Sequence, residues 1–394
     1  MQHLVIVGGG FAGFWSAMSA VRQARELGKA EQLKITLISK DEYHGIRPRF
    51  YEADLAGTRI PIRSYLESLK IDLVVGEVSG IDAESRRISL ANGSGDIVYD
   101  SLILAAGSRL KTGNIPGFER IFSVDTFNDA SILEQHLRDL AASGFSTQAS
   151  RNFVVVGGGF TGLEVLTSLP QRFLAYGTSG AEFNYFLVER STELASNYSA
   201  DGRRYITDQL RLAGVQLLLG EEAERIESGK IVLKSGKIIA TDTVIWSTGL
   251  EASPLTANLK GERDELGRLN VDNFLRLPAY NNVFVAGDVA KVLVADKNYA
   301  VMSCQHAMPQ GKFAGHNAVN LMFGKDMMPY SQPRYATCLD LGSENALFTT
   351  GWERNIKMSG PDAKALKNQI VTQWIYPAQS AEEAVRMSAP EVLA

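Results

Sequence analysis

Leu4–Gly13 reads LVIVGGGFAG, and Phe153–Gly162 reads FVVVGGGFTG. Each is a four-residue apolar run ending in G-x-G-x-x-G, with glycines at Gly8, Gly10 and Gly13, then at Gly157, Gly159 and Gly162. An uninterrupted apolar run is the pattern of a strand buried on both faces of a parallel sheet. The glycines permit a tight turn, close approach of backbone to a pyrophosphate, and close packing of the next helix on the strand. That helix turns its free N–H groups and positive dipole end toward the phosphates. One such motif is weak evidence. Two, each between an apolar strand and a helix-like stretch, predict two dinucleotide sites in an α/β chain.

Working outward, Phe14–Leu27 has helical spacing of Ala17, Ala20, Val21 and Ala24, and Lys34–Ile38 reads as the second strand. Such a unit normally ends that strand in Asp or Glu, which holds the ribose hydroxyls; here Ser39 and Lys40 stand there. The second unit repeats the pattern at Asn184–Val188 and does supply the acid, Glu189. Gly8 to Ser39 is 31 residues and Gly157 to Glu189 is 32, so the two units are offset almost equally. A carboxylate at Glu189 accepts hydrogen bonds from the 2′- and 3′-hydroxyls and repels a 2′-phosphate, which favours NADH. Arg190 beside it suits that phosphate and keeps NADPH as the alternative.

Lys70–Gly76 and Leu102–Gly107 read as further strands, and residues 81–98, with the turn Asn92-Gly93, read as a hairpin. The polar stretch Ala141–Arg151 reads as a linker, and Val215–Ala240 as an antiparallel patch. Thr243–Gly249 mirrors the strand ending at Gly107, and Asn282–Asp288 is another apolar strand. A helix is expected over Lys312–Met322, and a strand pair over Tyr335–Leu341 and Ala346–Trp352. Pro361 opens a short helix with Leu366, Ile370 and Trp374 on one face and Lys364 and Lys367 opposite, stopped by Pro377. That face suits either a membrane surface or the body of the protein. The residues after it are expected to fray.

At 394 residues, 45% of them hydrophobic, the chain can fill two or three domains. A net charge of -4 gives no sign of a nucleic-acid partner. The two cysteines, Cys304 and Cys338, make neither a disulfide scaffold nor a zinc spacing, and five scattered histidines argue against a metal site. No run of 18 apolar residues exists, and a strand beginning at His3 or Leu4 leaves no room for a signal peptide. The expected location is the cytoplasm, with at most peripheral contact at the inner face of a membrane.

Five motifs in order, GGGFAG, LILAAG, GGGFTGLE, TVIWSTG and VFVAGD, resemble those of the pyridine nucleotide–disulfide oxidoreductase-like flavoproteins over roughly residues 1–325. The resemblance implies two Rossmann-like domains. A discontinuous FAD domain spans 1–112 and 247–326, an NAD(P)H domain is inserted at 113–246, and a small α+β domain covers 327–394. It places FAD on Gly8, Gly10, Phe11, Ala12, Gly13, Ser39, Lys40, Arg47, Pro48, Val78, Ala106, Gly107, Gly287 and Asp288, with Asp288 on the ribityl chain. It places the nicotinamide dinucleotide on Gly157, Gly159, Phe160, Thr161, Gly162, Glu189 and Arg190, and counts Thr248 and Gly249 among the cofactor-binding residues. Asp288 also suits a helix N-cap, and Glu164 is either a residue near the nicotinamide or a favourable charge at a helix start.

No cysteine precedes Cys304, which removes the dithiol and single-thiol branches of that family. Cys304–Gly311 (CQHAMPQG) resembles the A-Q-x-A-x-Q segment of type II NADH:quinone oxidoreductases, with Cys304 and Pro309 as departures. That resemblance implies Gln305, His306, Ala307 and Gln310 at the flavin, the two glutamines donating to a quinone carbonyl. Glu164, Gln305 and Gln310 are then the catalytic candidates. The implied activity takes hydride from NADH to the flavin and passes electrons to a quinone-like acceptor. A carrier-protein reductase, whose partner is steered by Arg47 and Arg49, and an NADH-responsive binding module are the alternatives, with a homodimer a further option.

Overall fold

The computed structural model describes residues 1–111, 113–178 and 182–391. The first apolar run forms the strand Gln2–Val7, which pairs in parallel with Leu33–Ser39 on one side and Ser101–Leu104 on the other. Asp72–Val75 and Val283–Val285 complete a five-stranded parallel sheet. Leu4, Val5 and Ile6 are fully buried, as an apolar run covered on both faces must be. The first fingerprint helix, Phe11–Glu26, and the helix Cys304–Met322 lie side by side on this sheet. Their backbones touch: a Cβ added at Gly311 or Gly315 would run into Ala12 O or Ser16 O.

The second run repeats this plan. Asn152–Val156 sits between Asn184–Glu189 and Thr243–Trp246, with Val215–Leu219 at the far edge, all parallel. The second fingerprint helix is Phe160–Ala175. Because Val283–Val285 returns to the first sheet after the whole of the second, the first unit is built from two stretches of chain. The two crossings between units pair with each other, Ser108–Leu110 antiparallel to Leu250–Ala252. We propose that the domain boundaries fall at this crossing, close to positions 112 and 246; residue 112 itself lies outside the described residues.

The last unit is an antiparallel sheet of Ala336–Asp340, Ala346–Thr350 and Asn355–Gly360, followed by the helix Pro361–Gln369. That helix runs on into a π-helical turn over Ile370–Trp374.

Six sequence expectations need correction. Ala141–Arg151 is not an open linker: the helix Phe127–Ala142 enters it, and Gln148–Arg151 forms a turn whose Thr147 and Ser150 cap each other. Its serines and threonines are caps. Val215–Leu219 belongs to the parallel sheet rather than to an antiparallel patch. The helix expected from Lys312 begins at Cys304 and carries Pro309 inside it. Proline has no N–H for the Gln305 carbonyl one turn back, and Gln332 Nε2 donates to that oxygen instead at 3.1 Å. A third strand, Asn355–Gly360, joins the expected C-terminal pair. The buried face of the Pro361 helix is Ala363, Lys367, Val371 and Ile375, not Leu366, Ile370 and Trp374. Finally, within the stretch expected to fray, Ala381–Met387 is a helix whose Ala384 and Val385 pack on the first fingerprint helix, where Arg25 holds Glu382 with two hydrogen bonds, of 2.7 and 3.0 Å; residues 392–394 lie outside the described residues.

Candidate functional site

At the first fingerprint Gly8 has φ +115°, and a Cβ there would strike the carbonyl of Ala105 at the end of Ser101–Leu104. A Cβ on Gly13 would strike Gly8 O, whereas one on Gly10 would meet nothing within 4 Å. The loop is closed toward the protein and open outward at the helix start, whose N-cap Gly10 makes no side-chain cap hydrogen bond. Uncapped N–H groups over an open face are what an anionic pyrophosphate needs. Ser39, nearly buried, sets its hydroxyl against Gly9. Lys40 beside it is exposed and paired with Glu77 at 2.8 Å.

The second fingerprint copies this. Gly157 has φ +109°, a Cβ on it would lie 2.9 Å from Thr248 Cβ, and a Cβ on Gly162 would strike Gly157 O. Gly159 faces open space and, as the N-cap, offers no side-chain cap to the helix. Glu189 accepts from Gly158 N at 2.7 Å and from Ser191 N at 2.8 Å, so its carboxylate is held at the mouth of the loop. Thr161 and Arg190 are exposed beside it, and Gly249 takes φ +82° in the turn after Thr248.

A Cβ added at Gly287 (φ +79°) would lie 2.9 Å from Ala12 Cβ and 3.6 Å from Ala307 Cβ, at the starts of both helices of the first unit. The Gly287 N–H donates to Gln310 Oε1 at 2.7 Å. Gln310 is buried and spends its carbonyl on this turn, whereas Gln305 is half-exposed in the first helical turn. The His306 ring is turned into the C-terminal unit, stacked 5.9 Å from Tyr335 and 6.1 Å from Trp352, with Nδ1 3.2 Å from Gln332 Oε1. Burial lowers it to about 4, so it is neutral. Burial likewise pushes the Cys304 thiol up to about 11 and Cys338 to about 11, which leaves neither as a ready thiolate.

Arg47 donates to Ser108 Oγ at 2.8 Å, pairs with Asp125, and lies 3.8 Å from Asp288. Burial raises the Asp288 carboxyl above its ordinary value against the pull of Arg47, and Ser108 Oγ donates to it at 2.7 Å. Arg49 is tied to Glu52 and the Tyr376 hydroxyl. Pro48 stiffens the turn between the two arginines, and Val78 lies in the core under the first sheet. Phe11 packs edge-on against the fully buried His44 at 4.7 Å. Ala106 and Gly107 continue from the strand that buttresses Gly8, and Phe160 opens the second helix.

Glu164, two residues past Gly162, is buried and receives Lys367 Nζ at 2.6 Å and Asp340 N at 3.0 Å. Burial pushes its carboxyl up to about 7 even beside that lysine, while Glu164 and Asp340 raise Lys367 above its ordinary value against its own burial. One turn beyond Lys367, the buried Val371 and then Ile375 join Ile46 in one apolar cluster, with Phe11, Cys304, Met308 and Tyr376 packed against it. A buried ion pair and an apolar wall thus share one helix face. π-helical turns of this kind are common at functional sites.

Lys367, Asp340, Tyr51, Ser108 and Asp125 were not legible as site residues. A lysine in the stretch KALKNQ reads as solvated, and only the observed burial of positions 363, 367, 371 and 375 shows which way that helix is turned.

A family model described as pyridine nucleotide-disulphide oxidoreductase matches residues 2–311. An NADH dehydrogenase-like protein of Mycobacterium tuberculosis is 38% identical over 393 residues, covering 99% of this chain and 98% of that protein. A type II NADH:quinone oxidoreductase of Staphylococcus epidermidis is 27% identical, with 95% of each chain covered. Among solved structures, the sulfide:quinone oxidoreductase of Aquifex aeolicus superposes with a TM-score of 0.78 at 18% identity, covering 99% of this chain and 92% of that one. Among the described residues, no helix is long and apolar enough to cross a membrane.

Proposed function

Because the chain belongs to the pyridine nucleotide-disulphide oxidoreductase family, we propose that it reduces a small apolar acceptor of the quinone class. It is an oxidoreductase that binds FAD and NADH. FAD, when bound, supplies two-electron exchange with NADH and with the second acceptor. The first glycine loop and Ser39 would hold its pyrophosphate and ribose, and the raised carboxyl of Asp288 suits a hydroxyl partner on its ribityl chain. The second loop and Glu189 would hold NADH, the fixed carboxylate opposing a 2′-phosphate.

One observation carries the acceptor class: the apolar wall of Ile46, Val371 and Ile375 continues along one helix face into the Glu164–Lys367 pair. A quinone needs two electrons and two protons, whereas NADH brings two electrons and one proton. Lys367 and Glu164 can hold the second proton away from bulk water, and the half-exposed Gln305 can donate a hydrogen bond to a carbonyl. Gln310 has its oxygen committed to Gly287, so we assign it to shaping the Asp288 turn. Arg47 and Arg49 are both paired internally, which leaves less of their charge to steer a carrier protein, the alternative reading. Trp374, 55% exposed on the other side of this helical turn, gives a bilayer-dissolved acceptor a peripheral point of contact.

Anaerobic titration with NADH, followed through flavin absorbance, tests this reading. Bleaching that a short-chain quinone rapidly reverses supports it. Bleaching that no quinone reverses removes the acceptor class.

A further inference from the structure

Around Glu164 the structure gathers charges from three units. Glu164 belongs to the second fingerprint helix, Asp340 ends a strand of the C-terminal sheet, Lys364 and Lys367 lie on the helix after it, and Tyr51 comes from the first unit. Lys364 Nζ donates to both Asp340 oxygens, at 2.7 and 2.6 Å, and the Tyr51 hydroxyl donates to Oδ2 at 2.7 Å. Asp340 also donates its backbone N–H to Glu164, and the Lys367 ammonium lies 5.6 Å from the centre of the Tyr51 ring. Two carboxylates and two ammoniums therefore balance in one shielded cluster. The pairs differ in access: the Lys367 and Glu164 side chains are 5% and 4% exposed, whereas Lys364 is 18% exposed.

We propose that Asp340 and Lys364 are positioning residues whose opposite charges set how tightly the buried Glu164–Lys367 pair holds its transferable proton. The geometry assigns them no contact with acceptor or cofactor; they act through Glu164. Coulomb interactions are weakly screened in such a place, so removing either charge alone unbalances the cluster. Without the Lys364 charge, the Asp340 carboxylate stands uncompensated and Glu164 keeps its proton to higher pH. Without the Asp340 charge, the extra ammonium makes Glu164 release its proton at lower pH. Of the other titratable groups facing this site, Cys304 and Cys338 are neutral thiols and the Tyr51 phenol is held well above its ordinary value by burial and by Glu164. Glu52 is taken up by Arg49.

This inference rests on the proposed acceptor chemistry, and its test separates the two. Glu164 would be titrated in the holoenzyme by infrared difference spectroscopy of its protonated carboxyl, with Glu164→Gln as the blank. The acceptor step would be followed in parallel as the pH profile of short-chain quinone reduction. Lys364→Gln should raise the infrared midpoint, and Asp340→Asn lower it, each by about half to one pH unit. The double variant should return close to the parent. The quinone pH limb should move with it in each case. Asp340→Asn keeps the backbone bond to Glu164, so restoration in the double variant distinguishes charge from packing. Midpoints that stay put in both single variants, or move the same way, overturn the inference even if quinone is reduced normally. Midpoints that move in opposite directions in a protein that reduces no quinone support the inference and overturn the acceptor reading instead.

Discussion

Lys367 Nζ lies 2.6 Å from Glu164 Oε1, and both side chains are almost wholly buried although 203 residues separate them. The contact joins the helix after the second glycine loop to the helix of the last unit. Burying two charges is costly unless each satisfies the other, so the pair is poor evidence for stability and better evidence for a task.

Lys367→Met should be more damaging than Glu164→Gln. It leaves a carboxylate buried without its partner, at a cost of about 3–5 kcal/mol. The protein can lessen that cost by protonating Glu164, so the stability deficit should widen as pH rises. Thermal unfolding of both variants across pH checks this, and equal deficits at every pH would refute it.

In the parent protein the Glu164 carboxyl is raised in the folded state, from 4.5 to about 7. A group raised on folding contributes stability that is complete below its unfolded value and lost as pH climbs through its folded value. Measured against Glu164→Gln, the parent should therefore lose relative stability between pH 4.5 and about 7. A constant difference over that window would contradict the placement of Glu164.

The two glycine loops should fail separately. Gly13→Ala forces a methyl into Gly8 O, and Gly162→Ala forces one into Gly157 O. Overpacking of this kind costs about 1–3 kcal/mol. Gly13→Ala should purify pale, with FAD lost on dialysis, whereas Gly162→Ala should stay yellow and need about tenfold or more NADH, the equivalent of some 1.4 kcal/mol. Flavin content and the KM for NADH separate the two outcomes.

Gln305 and Gln310 should part company. Gln310→Leu leaves the Gly287 N–H without its acceptor, which costs about 1–3 kcal/mol and should appear as lower Tm and weaker flavin retention. Gln305→Leu should leave stability within about 0.5 kcal/mol of the parent. It should lower kcat for quinone instead, by about tenfold or more if its amide meets the developing charge. Equal effects of the two on Tm would remove this division of labour.

Glu189→Ala should raise the KM for NADH and narrow the preference for NADH over NADPH by about tenfold or more, since it removes both the ribose acceptor and the repulsion of a 2′-phosphate. Specificity constants for the two nucleotides measure it. An unchanged ratio would leave the choice to Arg190.

What the sequence by itself determined lies in the glycine motifs. Four apolar residues followed by G-x-G-x-x-G constrain a strand, a turn and a helix within a dozen positions, and the close approach of the third glycine to the carbonyl of the first is local. The same holds for Glu189, which ends its strand at the offset from the glycine loop that the first unit had already shown. Both glycine loops formed as their residues require, down to the positive φ at Gly8 and Gly157. What only the tertiary structure decided is which way the last helix faces. Leu366, Ile370 and Trp374 and the buried Ala363, Lys367, Val371 and Ile375 follow the same spacing, and hydropathy prefers the first set. The second set is buried because Lys367 finds Glu164 and Val371 finds Ile46, partners far away in the chain. Local periodicity counts apolar groups; it does not see a carboxylate waiting on another unit to receive a buried ammonium.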